Sequence, residues 1–210
     1  MTKAQLWWAR DPAGRAAFEA RAERLVGGVL ARVRYFDLET RNGHGGARVV
    51  PEGDEWLDPP WRNDDHDLLD WGLELETRDG RTFSASWYVT PFEGLDFGEE
   101  RLLGTHVDPE AMVAIWDVTT TENWNDYVGR TVTRVEVCWE RWDRDSFACH
   151  ALVLSFFGGA TVVVGGEGDT VSVTFGADAA RARAVGPYSP RQTDFDASFW
   201  ERVSRWFRST

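Results

Sequence analysis

Apolar and polar residues alternate over most of this chain, and the period is mostly two. Val29, Ala31, Val33 and Tyr35 alternate with Leu30, Arg32, Arg34 and Phe36, which predicts a strand over residues 29–38. Leu73, Leu75 and Thr77 alternate with Glu74 and Glu76, Asp79-Gly80 is a two-residue turn signal, and Phe83, Ala85 and Trp87 continue the alternation. A hairpin over residues 71–90 follows, ended by Pro91. Residues 111–119 are a further strand, with either Met112, Ala114 and Trp116 or Val113, Ile115 and Val118 facing inward. Later in the chain, 131–142 and 147–157 read as strands joined at Asp143–Asp145. Gly158-Gly159 turns into an apolar strand at 160–164, and Val171, Val173 and Phe175 close the set.

Two segments have helical spacing instead. Asp11 can cap and Pro12 suits a first helical position, so residues 13–25 predict a helix with Ala17, Phe18, Ala22 and Leu25 on one side. Phe195, Phe199, Val203 and Trp206 predict an amphipathic C-terminal helix over 195–208. Strands in hairpins with helices set apart from them imply an α+β fold with antiparallel sheets.

The strand pattern occurs twice. Val26-Gly27 with Arg32-Val33 lines up with Val128-Gly129 and Arg134-Val135, an offset of 102. Leu73-x-Leu75 with Gly80-x-Thr82 lines up with Leu152-x-Leu154 and Gly159-x-Thr161, an offset of 79. The chain therefore reads as an internal duplication: a first module over 1–120, and a second over 121–210 that includes the C-terminal helix, packed as one unit. The difference between the offsets is 23 residues of extra chain in the first copy. Residues 40–67 contain it, and glycine, proline and aspartate make them read as an inserted loop with one short strand near 48–50.

Charge narrows the function. A net charge of −12 excludes a nucleic-acid binder, whose phosphates it would repel, and disfavours an anionic membrane surface. It favours a basic partner. No segment resembles a signal-peptide core or reaches spanning length, and a cytoplasmic location is the expectation. Cys138 and Cys149 are too few for a disulfide framework and read as buried thiols.

Motifs for chemistry are missing. There is no Gly-x-Ser-x-Gly elbow. Gly165-Gly166-Glu167-Gly168 lies between strands and carries acids, so it reads as a hairpin loop and not as a phosphate cradle. Asp64-Asp65-His66-Asp67 is the densest ligand-like run, but four consecutive residues cannot converge on one ion. The expectation is no catalytic residue, no metal and no cofactor.

The inserted loop is where a binding function can sit. It concentrates acids around two tryptophans, so Asp54, Glu55, Trp56, Asp58, Trp61, Asp64, Asp65 and Asp67 form the candidate partner-binding set. The competing reading is that the tryptophans fold back and pin the loop to the sheet. The segments VGRTVTRVEV and ALVLSFFGGATVVV resemble small strand-rich bacterial domains. The wider profile (short, acidic, no catalytic motif) resembles the immunity proteins of bacterial toxin systems. That resemblance implies a protein-binding module that neutralises a basic toxin or nuclease, and carries no residue role with it. The alternatives are a small-molecule-binding protein or hydrolase with a groove between the modules, and an assembly component docking through the terminal helix.

Overall fold

The computed structural model describes residues 8–9, 12–39, 45–63, 66–88, 94–141, 147–167 and 170–176. The C-terminal segment expected to be helical, 195–208, lies outside them, as do Asp64 and Asp65. In chain order the elements are β1 (Trp8–Ala9), α1 (Pro12–Glu23), β2 (Leu30–Leu38), β3 (Gly46–Val49), a 3-10 turn (Asp54–Trp56), β4 (Asp67–Leu69), β5 (Gly72–Thr77), β6 (Thr82–Tyr88), β7 (Gly94–Gly98), β8 (Met112–Asp117), α2 (Glu122–Asn125), β9 (Val132–Arg141), β10 (Phe147–Phe156), β11 (Thr161–Glu167) and β12 (Thr170–Phe175).

The strands form two sheets. One runs β3-β8-β2-β5-β6-β7, all antiparallel except for the parallel β3–β8 pair. The other runs β9-β10-β11-β12-β4, with β1 pairing the first residues of β10. Their inner faces share one core. Val33, Tyr35, Leu73, Leu75, Phe83 and Phe97 of the first sheet meet Val135, Leu152, Leu154, Val162, Val164 and Val173 of the second. These are the positions that the period-two pattern assigns to one face. Helix α1 buries Phe18 and Ala22 against the same core, and α2 buries Trp124.

The units β2-β5-β6-β7 and β9-β10-β11-β12 have the same order, and their registers match as far as Phe36 and Cys138, beyond which β10 has a further shift between Cys149 and Ala151. Val33 faces Leu75 and Tyr35 faces Leu73, as Val135 faces Leu154 and Val137 faces Leu152. Even the bulge recurs. Leu30 faces Thr77 while Arg32 faces Glu76, and Val132 faces Phe156 while Arg134 faces Ser155, so Ala31 and Thr133 are the extra residues. The third strands match as well, with Ala85 opposite Phe97 and Val164 opposite Val173.

Where the units meet, their hydrogen bonds are reciprocal. Gly27 N–H donates to Val132 O (2.9 Å) and Gly129 N–H to Leu30 O (2.7 Å). Leu30 N–H donates to Arg130 O (3.0 Å) and Val132 N–H to Gly28 O (2.9 Å). A local two-fold axis thus passes through the Val29–Thr131 bridge. Gly27 and Gly129 have φ of 83° and 85°, a region that side chains other than glycine rarely adopt.

The inserted segment is more ordered than its composition predicts. It contributes β3 to the outer edge of the first sheet and at Asp67 leads into β4 on the edge of the second, so it runs from one sheet to the other. The pair Gly165-Gly166 is not a hairpin loop. Both residues lie within β11, opposite Ser172 and Val171. The Trp87 ring occupies the space a Gly166 side chain would need: a Cβ there would lie 1.6 Å from a ring carbon. Strand β8 buries both of its faces. Ala114, Trp116 and Val118 join the main core, while Val113 and Ile115 pack with Phe36, Leu102 and Val107 on the outer face.

Candidate functional site

The predicted partner-binding residues separate into an inner and an outer group. Trp61 is 2% exposed and packs edge-on against Tyr35 and Trp116, with ring centroids 5.2 and 6.0 Å away. Asp67, 1% exposed, accepts a hydrogen bond from the Tyr35 hydroxyl at 2.8 Å. That hydroxyl in turn accepts from Trp124 Nε1 at 2.7 Å. Burial pushes the Asp67 carboxyl above its usual range, opposed by hydrogen bonds from Tyr35 and Asn123. Neither Trp61 nor Asp67 belongs to a contact surface. Both pin the inserted segment to β2 and α2, which corrects the expectation that they face a partner. The cause is Tyr35, whose polar tip inside the core requires a partner that β4 supplies.

Glu55 is half-buried. Arg48 of β3 bonds it at 2.9 Å and also bonds the buried Glu39, and the two carboxylates raise the guanidinium further. Trp56 is half-buried on the rings of Trp116 and Trp61, and its Nε1 donates to Pro51 O at 3.1 Å. Asp54 and Asp58 are exposed beside it, as is Leu57 (81%).

Beyond Trp56 opens a groove of about 550 Å³. It is lined by Val50, Glu52 and Trp56 of the inserted segment, Arg32 of β2, Glu76 of β5, and Asp117 with Thr119 at the end of β8. Four separate stretches converge here because β2 lies between β5 and β8, and β3 runs beside β8. Arg32 binds Asp117 through two nitrogens, at 2.6 and 2.7 Å. Burial alone would raise the Asp117 carboxyl, but hydrogen bonds from Thr119 and Arg32 outweigh it and hold it below its usual range. Glu76 lies 3.9 Å from Arg34, and Glu52 is exposed. Among these residues three carboxylates face one guanidinium, so the groove is anionic around an aromatic wall.

All the lining residues lie between Ala31 and Thr120, so the groove is not formed at a junction of 1–120 with the later strands. The residues Arg32, Glu76 and Asp117 were not singled out by sequence reasoning. Each sits in an ordinary strand pattern, and only the sheet order brings them to one end.

Other chemistry can be placed. Asp96, Glu100 and His106 bring ligand atoms within 4.8 Å of one another. Arg21 reaches into this cluster to pair with Asp96, so a guanidinium already supplies positive charge there. Cys138 and Cys149 lie on opposite faces of their sheet, Cys138 against Ala151, Val153 and Val163 and Cys149 in the main core. Burial, with Cys138 adding to it, drives the Cys149 thiol well above its usual range, which suits an inert thiol. Among the described residues no helix is long and apolar enough to cross a membrane. No family model, no curated protein and no solved structure matches the chain.

Proposed function

We propose that the chain is a protein-binding module whose groove beside Trp56 receives a basic segment of a partner. The observation that carries this reading is the lining. An aromatic ring fixed by two other tryptophans stands beside Glu52, Glu76 and Asp117, with one arginine among them. A guanidinium or ammonium group laid on the Trp56 face would gain a cation–π contact and carboxylate partners together. The exposed Asp54 and Asp58 extend the same charge outward. An immunity or inhibitor role against a basic toxin or nuclease, in the cytoplasm, is the biological form this proposal takes. The small-molecule or hydrolase alternative has less support, because the groove is open and its polar lining is mostly charged.

We also infer that the two modules arose by duplication of one unit. Support comes from the shared register, the recurring bulge and the reciprocal hydrogen bonds. In the first copy, the inserted segment adds Val50, Glu52 and Trp56 to a lining that otherwise comes from β2, β5 and the end of β8.

The binding reading is tested with a nona-arginine peptide and the full chain. Glu52→Gln with Glu76→Gln is expected to weaken binding by about tenfold, the loss of roughly one charge-assisted bond. Asp108→Asn with Glu110→Gln removes two exposed charges from another loop and is expected to leave affinity within about twofold, as exposed pairs do. Equal losses in the two variants would show that net charge alone attracts the peptide, and would discard the groove.

A further inference from the structure

We infer that the outer edge of β9 is a second docking site, which takes an extended basic peptide as an added antiparallel strand. This goes beyond the groove and does not depend on it. In the first sheet, β2 has β5 on one edge and β8 on the other. In the second sheet, β9 pairs with β10, and among the described residues no strand pairs with its other edge. Because β2 and β9 share one register as far as Phe36 and Cys138, the direction of the backbone groups on β9 follows from β2, and the alternation of β9 carries it on to Trp139. Val33 N–H reaches Thr119 Oγ1 at 3.1 Å, Val118 N–H reaches Val33 O at 3.0 Å, and Glu39 N–H reaches Met112 O at 3.1 Å. Alternate residues of β2 from Val33 therefore aim their backbone groups at the β8 edge. Their counterparts on β9 are Val135, Val137 and Trp139, whose N–H and C=O groups aim at the open edge. A row of such groups is a template for strand addition.

The charge of the occupant follows from the same comparison. On β2, Arg34 stands opposite Asp117 of β8 in register, while its own ion pairs go to Glu74 and Glu76 of β5. Its counterpart on β9 is Glu136, with Glu140 on the same face four residues on. The charge is reversed, so the matching strand carries basic residues opposite these two. Arg134 pairs with Glu136 at 3.2 Å, and His150 Nδ1 lies 3.9 Å from Glu140 on the same face. Proline and short edges, the usual protection against strand addition, are not used: β9 spans ten residues without proline.

The experiment is amide hydrogen exchange on the full chain, with and without an eight-residue peptide of alternating arginine and threonine. Free protein is expected to exchange quickly at Val135, Val137 and Trp139, and the peptide is expected to slow exchange there by at least about tenfold. Val137→Pro removes one outward N–H and is expected to weaken the peptide about tenfold, with thermal unfolding checking that the fold persists. Glu52→Gln with Glu76→Gln should leave this protection unchanged, which separates failure here from failure of the groove. Slow exchange at these three amides in the free chain would mean that the chain fills its own edge, and would overturn the proposal. So would peptide protection that Val137→Pro leaves intact, or an equal effect from a glutamate–threonine peptide.

Discussion

Asp37 sits near the end of β2 at 5% exposure, where its Oδ1 accepts the Asp70 N–H at 3.0 Å. Burial pushes its carboxyl up to about 6, from 3.8, with the neighbouring charge of Asp70 adding to it and backbone hydrogen bonds opposing. A folded value above the unfolded one favours folding at low pH. The contribution is full below 3.8 and is lost as pH rises through about 6. Asp37→Asn keeps an acceptor for Asp70 and cannot ionise. It is therefore expected to stabilise the protein at pH 8 by about 1–3 kcal/mol, with the gain gone by pH 4. Urea melts at the two pH values measure this, and a gain that persists at pH 4 would contradict the assignment. Tyr35→Phe probes the buried chain from Trp124 through Tyr35 to Asp67. It leaves a donor and an acceptor without their partner and is expected to cost about 2–4 kcal/mol in the same melts. A cost under about 0.5 kcal/mol, the level of an ordinary surface change, would show that the chain of bonds does not hold the inserted segment.

At the scale of elements, the hairpins were legible because alternation and turn glycines act locally. Asp79-Gly80 and Gly158-Gly159 both turn where expected, with positive φ at Gly80, Gly158 and Gly159. The stop at Gly27 was equally plain, and α1 ends at Glu23 just before it. β3 within the inserted segment and β4 at its end were not fully legible, for different reasons. β4 has only three residues and is set by its partner β12, a hundred residues away in sequence, so it carries no pattern of its own. β3 lies parallel to β8 with its side chains partly exposed, and only its end was visible near 48–50. The two tryptophans of the segment have like surroundings in sequence, yet Trp61 lies inside and Trp56 at the rim. Tyr35 and Trp116, distant in the chain, decide between them. The groove itself could not be read, since residues 32, 56, 76 and 117 meet only through sheet order. The proposed duplication makes its own prediction. Gly27→Ala and Gly129→Ala meet no neighbouring atom but share a positive φ, so each is expected to cost about 1 kcal/mol through backbone strain alone. Gly166→Ala differs, because its methyl group collides with Trp87, and overpacking adds about 1–3 kcal/mol. Costs for Gly27 and Gly129 that differ by more than about 1 kcal/mol would argue against matched turns.

Taken as one molecule, the protein joins two sheets of matched design through a shared core and a short reciprocal bridge. The inserted segment then ties the outer strand of one sheet to that of the other. Much of the negative charge serves internal pairs, such as Glu39 and Glu55 with Arg48 and Asp96 with Arg21. The net charge of −12 is therefore a poor guide to where a cation binds, and location matters more than total. Binding in the groove should keep part of its strength at 0.15 M salt, where the screening length is about 8 Å, because the partner group would touch Trp56 and the carboxylates directly. The most direct measurement is a proton–nitrogen NMR titration of the full chain with nona-arginine at that salt concentration. The account predicts the largest shifts at the Trp56 indole N–H and at the backbone of Arg32, Glu76 and Thr119. Shifts spread evenly over the acidic surface, with the Trp56 indole unmoved, would contradict it.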